Sequence, residues 1–161
     1  LLEISGLNQE RLQIRWVSAT EGQQFAEYVT ELTDILRELG PLDRDRMALP
    51  LAAVSRALMA PDLRWLIGIG RKLTKRGNVY HEIMDPGVYE HLVKSCAKEE
   101  YQLDLIYEAL KAGPQTVQQI AGRTGLPIYT IALSLNDLEE GALVSILGHD
   151  GNDPKFGILA A

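Results

Sequence analysis

Apolar and polar residues alternate along Leu12-Gln13-Ile14-Arg15-Trp16-Val17, a period that predicts a strand. Ser18-Ala19-Thr20-Glu21-Gly22 then predicts a loop opening a helix. Phe25, Tyr28, Val29, Leu32, Ile35, Leu36 and Leu39 recur at helical spacing on one face, and Gly40-Pro41 stops the run. A lone strand is not stable in water, so this strand–helix unit needs a sheet. Another subunit, or sequence preceding Leu1, is expected to supply it.

Residues 41–48 are polar and predict a connector. Pro50 is expected to open a short helix to Met59. Pro61-Asp62 opens another, with Leu63, Leu66, Ile67 and Leu73 on one side and Gly77-Asn78 at its end. Asp85-Pro86 is a strong helix start, an Asp cap followed by Pro at the first helical position. Tyr89, Leu92, Val93 and Cys96 share a face, Lys98-Glu99-Glu100 interrupts it, and Leu103, Ile106 and Leu110 resume it. The pattern fits one long helix or two, ended by Gly113-Pro114.

Thr116 with Gln119 three residues on forms a capping box for a short helix ending at Thr124-Gly125. Pro127 starts the next helix, with Ile128, Ile131, Leu135 and Leu138 as its buried stripe and an end near Gly141. Leu143–Leu147 predicts a strand, Gly148–Pro154 a turn, and Phe156–Leu159 the returning strand. The order helix, short helix, tight turn, helix, hairpin over 99–161 resembles the winged helix-turn-helix superfamily, with Leu138–Val144 at the turn into the wing. The expected fold class is mainly α with small β (α+β). It comprises a terminal strand–helix unit over 1–45, a helical connector over 46–98 and a winged-helix domain over 99–161.

Charge sharpens this picture. Among 161 residues, 16 Lys+Arg face 22 Asp+Glu, a net charge of −6. Through Lys98 the two signs balance at 13 each; from Glu99 onward three cations face nine carboxylates, so the whole imbalance lies there. Lys and Arg supply nearly all non-specific affinity for polyphosphate. The helix over 127–140 has neither, and its outward residues Tyr129, Thr130, Leu133, Asn136 and Asp137 run into Glu139-Glu140. This face is expected to bind protein and to repel nucleic acid. A winged-helix nucleic-acid-binding transcriptional regulator is the alternative.

Arg71, Lys72, Lys75 and Arg76 form a basic cluster that suits either a solvated helix end or an acidic partner. Together with Tyr129, Thr130 and Leu133 they are the candidate partner-binding residues. Gly68-Ile69-Gly70 lacks the third glycine and the strand context of a phosphate loop. Ser18 or Thr20 is expected to cap the helix that follows. His81, His91 and His149 are scattered, and His91 stands five residues from Cys96, the wrong spacing for paired ligands on a helix. Cys96 is expected to be a buried core thiol. No catalytic, cofactor-binding or metal residue is assigned.

One cysteine suits a reducing compartment, and no apolar stretch approaches membrane-span length. The start Leu1-Leu2-Glu3-Ile4 has neither an initiator Met nor the basic start of a signal peptide. A cytoplasmic fragment of a longer chain, without membrane contact, is the expectation.

The strand ending in Trp16, the Ser18-Ala19-Thr20-Glu21-Gly22 loop, Phe25-Ala26 and an amphipathic helix ending in Leu39-Gly40-Pro41 match a family in register. Residues 1–41 resemble the C-terminal part of the delta-subunit family of methyl-viologen-reducing hydrogenase. The resemblance implies a small iron–sulfur protein that carries electrons between a hydrogenase and a heterodisulfide-reductase-like flavoprotein. Its [2Fe-2S] cysteines lie in the earlier part of the family domain, and Cys96 matches none of them. The implied partners are protein subunits of such a complex, or a second copy. The implied function is a non-catalytic docking piece of an electron-transfer subunit.

Overall fold

Capping chemistry and apolar periodicity place six α-helices and one hairpin among the described residues. The computed structural model describes residues 1–77 and 80–159. Helices α1 (Gly22–Leu39), α2 (Arg44–Ala57), α3 (Pro61–Arg71), α4 (Pro86–Leu110), α5 (Val117–Thr124) and α6 (Ile128–Glu140) precede strands β1 (Val144–Asp150) and β2 (Asp153–Ile158). The protein is thus mainly helical with a small antiparallel sheet. Among the described residues no helix is long and apolar enough to cross a membrane. The chain divides into two compact units, residues 2–48 and Leu1 with residues 49–161.

In the first unit the sequence predicts a strand that does not form. Residues 12–17 belong to no strand, because none of the described residues offers a ladder to them. A single 3-10 turn, Gln9–Arg11, precedes them. Arg11 donates to the carbonyls of Leu39 (3.0 Å) and Gly40 (2.9 Å), so a cation satisfies orphan acceptors at the end of α1. Arg15 reaches Glu31 at 3.2 Å and lies 4.6 Å from the centre of the Tyr28 ring. Neither Ser18 nor Thr20 caps α1. Their hydroxyls meet each other at 3.1 Å, while the Glu21 carboxylate accepts from the Ser18 N–H at 2.9 Å.

Helix α2 starts at Arg44, within the span read as a connector, and carries Pro50 in its interior. Asp43 makes the early start possible: its side chain accepts from the Arg46 N–H at 3.0 Å, and its carbonyl from Met47 at 3.1 Å. Proline costs α2 one backbone bond without ending it.

In the second unit the chain from α4 to β2 encloses one core. Ile106, Leu110, Ile120, Ile131, Leu135, Leu138 and Val144 are buried together. Helix α4 is single and unbroken, capped by Asp85, whose carboxylate accepts from Gly87 (2.8 Å) and Val88 (3.1 Å). Thr116 and Gln119 close the expected capping box. Ile128 departs from the expected stripe and stands exposed in the first turn of α6. Between α6 and β1 the left-handed residue is Ala142 (φ 53°), and a side chain at the preceding Gly141 would crowd the Asp137 carbonyl.

The hairpin extends further than its apolar residues suggest. Asp150 pairs with Asp153 across Gly151-Asn152, and Leu147 is bulged out between Ile146 and Gly148. Gln115 and Phe156 exchange backbone bonds of 2.9 and 2.8 Å, tying the segment after α4 to β2.

Helix α3 runs into a π-helical turn, Lys72–Arg76, that stops at Gly77 (φ 80°). Asn78, the other half of the expected stop, lies outside the described residues. Leu63 and Leu66 are buried, while Ile67 is exposed. The two glycines here have different uses. A Cβ on Gly70 would collide with the ring of Tyr89, whose hydroxyl donates to the Leu66 carbonyl at 3.1 Å, whereas Gly68 faces open space. Gly70→Ala should therefore cost about 1–3 kcal/mol through displacement of that ring. Gly68→Ala should gain up to about 1 kcal/mol from helix propensity. Urea unfolding of the two variants checks the opposite signs.

Candidate docking surfaces

Helix α1 is amphipathic yet contributes no buried residue. Phe25, Val29 and Leu36 are exposed on it. In the same unit Leu12, Ile14 and Trp16 recur at alternate positions, with Ile14 80% and Trp16 92% exposed. Part of the apolar helix face is thus exposed, while Tyr28, Leu32, Ile35 and Leu39 on it are half-buried, and the irregular segment before it presents Ile14 and Trp16 to solvent.

In the second unit, Tyr129 (74% exposed) and Leu133 (47% exposed) project from α6. Thr130 and Leu133 line a groove of about 450 Å³ against α4, completed by Glu99, Glu100, Leu103 and Asp137. Tyr129 is not among its lining residues, so these three candidates do not share one cleft. The carboxyl of Glu100 is pushed up, first by burial and then by the neighbouring charges of Asp104, Asp62 and Glu99. Arg71, Lys72 and Arg76 surround a separate depression with Gly68 at the end of α3. Lys75 lies in the same π-helical turn.

A larger cavity, about 660 Å³, lies beside Arg56, Asp104, Glu108 and Lys111. Arg56 Nε donates to Asp104 Oδ1 at 2.8 Å and lies 3.7 Å from Glu108, which Lys111 approaches at 2.6 Å. The Arg56 guanidinium also stacks 4.0 Å from the Tyr107 ring centre. Asp104 is only 4% exposed, and burial pushes its carboxyl up against the opposing pull of Arg56. No short-range spacing signals this pair, since its members lie on different helices.

Cys96 is half-buried beside the cluster of Ala60, Leu63 and Ala97, rather than fully buried. Burial and the carboxylates of Glu100, Asp62 and Glu99 push its thiol up, away from the reactive thiolate.

Residues 1–40 match the family described as methyl-viologen-reducing hydrogenase, delta subunit. Among curated proteins, an F420-non-reducing hydrogenase iron-sulfur subunit of Archaeoglobus profundus is 41% identical over 46 residues, 29% of this chain. The aligned segment spans only about a third (34%) of that relative's length. No solved structure matches. The similarity falls on the part of the chain in which Ile14, Trp16 and Phe25 stand exposed.

Proposed function

We propose that this chain is a docking element of a hydrogenase-like electron-transfer assembly. In this reading residues 12–39 complete an α/β domain of delta-subunit type. The observation that carries it is a coincidence: residues 1–40, which match the family, include the amphipathic helix with no buried residue. Leu12, Ile14 and Trp16 become one face of a strand when a neighbouring sheet edge supplies the ladder, and α1 then packs its apolar face on that sheet. Burial of the Trp16 side chain alone contributes about 2–3 kcal/mol to such docking.

The residues present do not fit the [2Fe-2S] cluster that the family implies. Such a cluster takes four thiolates, and this sequence has one cysteine. Docking, not electron storage, is therefore the role assigned to this chain. The α4–β2 region serves the same end as a winged helix used for protein contact. Its third helix, α6, has no Lys or Arg, and Lys155 in the wing is already paired with Asp150 at 3.2 Å.

The test is recovery of partners from the source cell with the tagged chain. Hydrogenase or heterodisulfide-reductase-like subunits should co-purify, and Trp16→Asp should reduce their recovery at least tenfold. Binding by a Trp65→Phe variant should shift the remaining Trp16 emission to the blue. Failure to recover such subunits, or equal recovery by Trp16→Asp, rejects the reading. Salt-sensitive micromolar binding to random duplex DNA would favour a nucleic-acid-binding regulator instead.

A further inference from the structure

We propose that the groove between α4 and α6 receives the basic end of α3, residues 65–76, from a second copy of this chain. The groove is chemically one-sided. Glu99 and Glu100 stand on the α4 side and Asp137 on the α6 side, and none of them has an ion pair among the described residues. Leu103 and Leu133 supply apolar floor and wall.

Ser134, only 8% exposed, adds a hydroxyl to the groove wall beside these side chains.

The segment at the end of α3 has the complementary character. Arg71, Lys72, Lys75 and Arg76 carry four cations, and none has an ion pair among the described residues. Trp65 and Ile67, one to three turns earlier, are exposed apolar residues. Apolar side chains followed by four cations match a groove with two leucines between three carboxylates. The crowding that pushes the Glu100 carboxyl up would be relieved by those cations. Both patches belong to the unit formed by Leu1 and residues 49–161, yet no ion pair joins them within one chain. A reciprocal pair of copies satisfies both patches at once, as a two-fold interface requires. This inference is independent of the hydrogenase reading, which rests on residues 1–40.

Sedimentation equilibrium of the full chain tests it. At low salt the average mass should rise toward twice that of the monomer with concentration. It should return to the monomer value at about 0.5 M NaCl, where charges a few ångströms apart are screened. The double variant Glu99→Lys/Asp137→Lys and the double variant Arg71→Glu/Lys72→Glu should each associate at least tenfold more weakly. All four substituted residues are exposed, so folding is retained. Mixing the two variants should restore association, because each groove then faces a segment of opposite sign. A monomer at every concentration, association indifferent to salt, or a mixture that stays monomeric overturns the proposal.

Discussion

Ile106→Ala should lower the unfolding free energy of the 49–161 unit by about 3 kcal/mol, the largest single loss expected in this protein. Ile106 is wholly buried on the inner face of α4, in the core that Leu110, Ile120, Ile131, Leu135, Leu138 and Val144 complete. Truncation removes three carbons from water-excluded contact and leaves a cavity that the surrounding helices cannot fully close. Urea unfolding followed by circular dichroism should show a lower midpoint with unchanged slope. Phe25→Ala on α1 provides the contrast. Its ring is exposed and no core surrounds it, so the same measurement should change by no more than about 0.5 kcal/mol. Equal effects of the two substitutions would mean that the core lies elsewhere.

Arg56→Met should cost about 2 kcal/mol at neutral pH, and less as the pH falls. Met retains the stem's packing but leaves the Asp104 carboxylate buried without its 2.8 Å partner. The value stands below that for a fully buried pair because the Arg56 side chain is 38% exposed. The pH dependence follows from the direction of the Asp104 shift. Its carboxyl titrates higher folded than unfolded, so between those two values the folded state holds more protons. Stability attributable to Asp104 therefore grows as pH falls from neutral toward the ordinary carboxylate value near 4. Without Arg56 the folded value rises further, and the recovery on acidification should be larger in the variant than in the parent. Unfolding curves at pH 7 and pH 5 measure it. A loss independent of pH would assign the effect to Tyr107 stacking rather than to Asp104.

Local chemistry carried much of the fold into the sequence. Asp85-Pro86, the Thr116–Gln119 box and Thr124-Gly125 each act within one helical turn, and the structure uses each one as read. Ile131, Leu135 and Leu138 are legible for the same reason, since their spacing follows a single helix. The strand over 12–17 is not, because alternation describes only half of a ladder and the other half is not in the described residues. Residues 44–48 read as connector because three of the five are charged, yet the Asp43 cap starts a helix there and Met47 is buried on it. Ile67 and Ile128 sit at the edges of apolar stripes, and hydropathy cannot tell an edge from a centre. Arg56 and Asp104 lie 48 residues apart, beyond any periodic signal. The groove that collects Leu103, Ser134 and Asp137 likewise exists only once α4 and α6 pack.

An α1 helix held by the Arg11 clamp, its own backbone bonds and apolar residues that are at most half-buried opens on its own scale. Amide exchange or limited proteolysis within Gly22–Leu39 then reports local opening at small free energy, while the α4–β2 region exchanges only through global unfolding. A melting temperature taken from the whole chain describes the second process and leaves the first unseen. The segment that matches the family can thus lose its order while the bulk signal remains native.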